Sequence, residues 1–211
     1  MESLGNPNVF ALTMKLLPEF RDLDAKYRLP LIDLAMPALK QLSVSQCRVF
    51  RTNLTAVLAM KEPAGLLDWA LLKILHDHLD GHFFKLTHAM TPSLELVQVE
   101  QDATVLLSLL ADAGHQDWTR TKAAFDAAAR SLGPPGLRQK EVGQIQIAKL
   151  DGALQRLARL KPLAKPQLLR AFAVSVVHDE VITPVKLELV RAVSAVLDCP
   201  VPLFAPVPAE D

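Results

Sequence analysis

The stretch Leu168–Pro202, LLRAFAVSVVHDEVITPVKLELVRAVSAVLDCPVP, decides the fold. Phe172, Val174, Val176 and Val177 cover most of the perimeter of one helix, which predicts a central, buried position. Val185, Leu189, Val190, Val193, Val196 and Leu197 form a narrower stripe, which predicts that the next helix lies against one neighbour. Thr183 and Pro184 open that second helix as N-cap and first-turn proline. Cys199-Pro200 closes it. Ser45–Leu79 reads as a distant copy of this helix pair. The predicted class is all-α, a bundle of about eight helices built from two distantly similar helix-pair halves.

Working outward, Val9–Arg21 reads as a first helix. Leu31–Leu42 follows, with Pro30 at its start and Pro37 inside, where a missing donor predicts a kink. Ser43 and Gln46 have capping-box spacing, and Phe50, Leu54, Val57 and Leu58 behind them form a core stripe. Leu66–Leu79 is the next helix. The segment from Thr91 to Gly114 is helical in its later part, while Leu94–Val99 alternates as a short strand would, with helix the favoured reading. Asp117 or Thr119 caps a helix to Leu132. Helices are then expected over Val142–Leu160, Pro166–His178 and Pro184–Leu197.

Gly133-Pro134-Pro135-Gly136 is the strongest breaker in the chain. It sets an expected organisation of 1–132 as an N-terminal half, 133–140 as a linker, 141–200 as a C-terminal half, and 201–211 as an extended Pro-rich tail.

Composition bounds function. Twenty-three Lys plus Arg balance 23 Asp plus Glu among 211 residues. Zero net charge and the absence of an aromatic-studded basic patch argue against nucleic-acid binding. Two cysteines, neither in a CxxC, make no disulfide framework and suggest a reducing compartment. No apolar run approaches the ~18 residues of a membrane span. The start, MESLGNPNVF, lacks the order of a signal peptide. The glycines are scattered, so there is no phosphate loop, and no serine sits in a Gly-x-Ser-x-Gly context.

Two clusters invite a metal. In His76-Asp77-His78-Leu79-Asp80-Gly81-His82, only His78 and His82 share a helix face, at i and i+4, a two-ligand spacing for zinc. Leu79 stands where a metalloprotease needs its glutamate, and Gly81 suggests that the helix is ending. The alternative is a hydrogen-bonded core or interface His78 with His76 and His82 solvated. In the loop His178–Pro184, Asp179 and Glu180 are candidate cation ligands. Their alternative role is to favour the positive N-terminus of the following helix. Cys47 reads as a small core residue, and Trp69 and Trp118 as packing residues.

Several strings together resemble a family. They are Asp179-x-x-Ile182-Thr183-Pro184, Leu189-Val190-Arg191-Ala192 and Leu197-Asp198-Cys199-Pro200. Earlier ones are Leu29–Leu39 (LPLIDLAMPAL), Gln41-Leu42-Ser43, Asp68-Trp69-Ala70-Leu71, and His78-Leu79 with His82-Phe83. They are similar to the TerB-like helical module that follows the catalytic part of membrane zinc metallopeptidases of the HtpX and CAAX-prenyl-endopeptidase type. Leu4-Gly5-Asn6-Pro7 resembles the join after such a peptidase domain. The resemblance implies a non-catalytic interaction or regulatory module, cytoplasmic or membrane-associated through a parent protein. Its partner would be a peptidase domain or a second copy. A free-standing TerB-like stress-response protein, binding a metal ion or a protein, is the alternative. The family pattern has Ala-Asp-Gly in each inter-helix loop. Here the first loop reads AMKEPAG (Ala59–Gly65), Glu180 replaces the second glycine, and Lys186 stands where an acid is usual. These departures weaken the implied divalent-metal site, and no cofactor is expected. The His-Glu-x-x-His motif is absent, so no peptidase activity is expected of this chain.

Overall fold

A computed structural model describes residues 7–60, 65–84, 92–113, 117–146, 149–178 and 182–201. The helices are α1 (Pro7–Arg21), α2 (Arg28–Leu39), α3 (Val44–Ala59), α4 (Leu66–Phe83), α5 (Glu100–Asp112), α6 (Trp118–Leu132), α7 (Leu150–Ala158), α8 (Lys165–Val177) and α9 (Pro184–Val196). Short 3-10 turns occupy Ala25–Tyr27, Leu96–Val99 and Val142–Gln144. The protein is all-α. Among the described residues the β-type pairing is one lone bridge, between Leu94 and Leu160.

The chain divides into two compact units. One comprises Met1–Ala64 and His78–Leu86, the other Gly65–Asp77 and Thr87–Asp211.

The second unit holds most of the core. α5 lies at its centre and packs against α6, α7, α8 and α9. An unbroken run from Leu106 to Ala111 on α5 is buried, and only the side carrying Gln101, Val105 and Asp112 reaches water. Its polar side chains are satisfied locally. Thr104 Oγ1 donates to Glu100 O (2.7 Å) and Ser108 Oγ to Thr104 O (2.7 Å). The Ser108 hydroxyl also accepts from Lys140 N (3.0 Å). α6 and α8 form the closest helix pair, with Phe125 and Phe172 fully buried.

Gly133–Gly136 lies inside this second unit, because α5 and α6 before it pack on α8 after it. Gly133 ends α6 with φ of 100°, and Gln167 Nε2 donates to Leu132 O (2.7 Å) at the same corner. A side chain at Gly133 would meet both the left-handed backbone and Gln167.

The capping expectations hold. Ser43 N donates to Gln46 Oε1 (2.8 Å), and Gln46 N returns a bond to Ser43 Oγ (3.2 Å). Asp117 accepts from Thr119 N (2.8 Å), and Thr183 Oγ1 from Lys186 N (3.3 Å). Thr183 Oγ1 also donates to Ala113 O (3.3 Å) and so joins the end of α5 to the start of α9.

Other expectations change. α4 runs through Gly81 to Phe83, a turn longer than expected. α2 continues across Pro37, which sits two residues from its end and removes one bond of the last turn. Val142–Leu160 is not one helix. β-branched Val142 and Ile145 around Gly143 leave only a 3-10 turn before α7. Leu94 is extended, donating to Arg159 O (3.0 Å) and accepting from Lys161 N (3.0 Å), before the 3-10 turn begins.

α8 is central as expected, packing on α5, α6 and α9 with Phe172 buried, but α9 is enclosed more widely than a one-neighbour stripe implies. Val174 and Val177 are only half-buried. α9 packs on α5, α7 and α8 and buries Lys186, Glu188 and Ser194 with its apolar stripe. Lys186 and Glu188 each take part in a polar or electrostatic contact, which lets them leave water.

The first unit buries little. Among the described residues its buried apolar side chains are Met36, Cys47 and Leu79, and α1 buries none. α3 buries only Cys47, whereas α8 buries six residues.

Two substitutions test this division of the core. Phe172→Ala should lower stability by about 3–5 kcal/mol in urea unfolding, because it empties a fully enclosed site. Leu163→Ala, at a side chain 94% exposed, should change it by less than ~0.5 kcal/mol.

Candidate functional site

The richest side-chain cluster of the first unit forms where α3 meets the end of α4. Arg48 and Arg51, at i and i+3, share one side of α3. Each guanidinium lies 5.7 Å from the centroid of Phe84. Arg51 Nη1 donates to Asp80 Oδ1 on α4. Their side chains are 27% and 14% exposed, so water screens the pair only partly.

His82, two residues on, is exposed, and its Nε2 lies 2.9 Å from Lys40 O. A carbonyl only accepts, so Nε2 carries the proton, and in the neutral ring Nδ1 holds the free lone pair. The ring also meets Phe83 edge-on at 4.7 Å.

The continuous helix places His78 and His82 at i and i+4 on α4, as the spacing predicts. His78 is half-buried and engaged in a polar, ring or electrostatic contact. A metal at His82 must use Nδ1 or break the Nε2 bond to Lys40. Among the described residues, no three His, Cys, Asp or Glu side chains gather as a metal group would require. Asp179 and Glu180 lie outside the described residues. His76 is half-buried and also engaged.

In the second unit, Asp151 receives Trp69 Nε1 (2.9 Å) and Lys73 Nζ (2.8 Å), two α4 residues one turn apart. Trp69 is a packing residue as expected, but Trp118, at the start of α6, is 55% exposed. Cys47 is fully buried, and burial pushes its thiol above the usual range. Desolvation does the same to half-buried Cys199, whose Sγ lies 3.5 Å from Leu197 O. A raised thiol favours the neutral form, so neither cysteine is poised as a nucleophile.

The arrangement fastens helices together, through an ion pair, two cation–ring contacts and a capped carbonyl. The sequence carried a signal for part of it. Two arginines at i, i+3 with an aromatic beyond a neighbouring helix fit a stacked pair, but nothing local links Arg51 to Asp80, 29 residues away.

No protein-family model, curated protein or solved structure matches this chain.

Asp80→Asn should cost about 1–2 kcal/mol in equilibrium unfolding, because the Arg51 charge keeps only a weaker acceptor. Native protein treated with an aromatic disulfide reagent at pH 8 should label at Cys199 and spare Cys47, with both reacting after denaturation. Because both thiol pKa values are raised on folding, the stability they contribute is full at neutral pH. It is lost as pH rises past the ordinary thiol value through the raised one.

Proposed function

We propose that this chain is a non-catalytic helical interaction or regulatory module. One observation carries the reading. Thirteen of the eighteen exposed large apolar side chains among the described residues lie in the first unit, although the second contains nearly all the buried ones. A soluble surface rarely carries so much apolar area without a use for it, and protein association is the common one. The sequence resemblance to TerB-like modules of membrane zinc metallopeptidases supports a more specific form. In that form the chain scaffolds, regulates or recruits for a peptidase domain.

Two further observations are compatible. No described helix is long and apolar enough to cross a membrane. The described donors assemble no metal group, so the reading routes no step through one.

An immunoblot of fractionated native cells tests this proposal. A larger band in the membrane fraction, beyond 23.2 kDa, is the expected result. A band at 23.2 kDa in the soluble fraction would overturn the peptidase-linked form and favour a free-standing TerB-like protein.

A further inference from the structure

Resting on that reading, we infer that the α1 face is a self-association surface whose occupant is the same helix of a second copy. On α1, at 100° per residue, Val9, Leu12, Leu16 and Phe20 fall within an arc of about 80°. They are 60%, 57%, 39% and 48% exposed. The polar interruption beside them is neutralised within the helix, since Thr13 Oγ1 donates to Val9 O (2.8 Å). The face is therefore dry enough to bury. A lone helix of this length is marginal in water and holds its shape only when covered.

The occupant follows from charge, and the area sets its strength. The four side chains of the stripe, 39–60% exposed, offer on the order of 400 Å², about half of the ~800 Å² each partner gives to a stable interface, so the association is weak. Zero net charge sets up no repulsion between copies. A two-fold antiparallel pair with Leu16 on the axis sets Leu12 against the partner's Phe20. Lys15 and Glu19 both flank the stripe on one side. In that register Lys15 and the partner's Glu19 stand within ~3 Å of the same height, twice by symmetry. A membrane surface fits less well. The polar side of α1 is Asn8, Lys15 and Glu19, and its second cation, Arg21, projects from the opposite side, where an interfacial helix would gather Lys and Arg along one polar face.

Light scattering on the whole chain at rising concentration tests the inference. The mass should climb from 23.2 kDa toward twice that value by ~100 μM, a modest affinity for an interface of this size. Leu16→Asp should remain monomeric with unchanged helical circular dichroism, since Leu16 supports no intramolecular core. Lys15→Glu should weaken the dimer roughly three- to tenfold, and adding Glu19→Lys should restore it. A wild-type chain that stays monomeric, a Leu16→Asp dimer, or a charge swap that fails to restore association overturns the inference. So does a monomer that instead sediments with phosphatidylglycerol vesicles. The mass measurement does not depend on cell fraction. A failed dimer therefore leaves the module reading standing, and a failed module reading leaves the dimer standing.

Discussion

The second unit depends on the burial of most of α5. A helix can lose water over most of its surface only if the polar groups buried there find partners first. Here Thr104 and Ser108 bond back to the preceding turn, and the same Ser108 hydroxyl receives Lys140 N from the segment after Gly136. The C-terminal end is closed by Thr183, which also starts α9. Charge pairs sit at the edge of this assembly. Arg156 donates to Asp102 (2.7 Å) and to Gln98 O (2.8 Å), so α7 is tied to both α5 and the turn before it. The apolar core supplies most of the stabilisation, and the polar bonds fix which helix goes where.

The first unit is organised differently. With three buried apolar side chains among its described residues, it lacks the core that a segment of this size needs to stand alone. Its internal ties are the Arg51–Asp80 pair, the Phe84 stack, and the His82–Lys40 bond. These fix geometry but contribute modestly to stability. Its exposed helices are the physical basis for reading the protein as an interaction module. Burial of those faces against a partner would complete what the chain leaves open.

The histidine cluster shows how a motif changes meaning in three dimensions. Three histidines in seven residues suggest a ligand set. Helix geometry leaves two on one face, and one of those two is bonded to a backbone carbonyl 42 residues earlier in the chain. The carboxylates nearby follow the same logic, since Asp80 serves Arg51. In this structure Asp80 and His82 tie helices of the first unit together.

Local physics was legible in the sequence. Helical period, the Ser43–Gln46 box, the Asp117 and Thr183 caps, and the proline and glycine stops act over a few residues, so they can be read without neighbours. They determined the all-α class and most helix boundaries. Tertiary structure alone decided which helices are central. α9 carries Lys186 and Glu188, and a sequence reading turns such residues outward; packing buries them because each has a contact partner there. It alone decided that Gly133–Gly136 is a corner within one unit, since Gln167 and α8 return to it from beyond. It alone left α1 bare, because an amphipathic stripe states that a face wants burial but not whether the same chain supplies the cover.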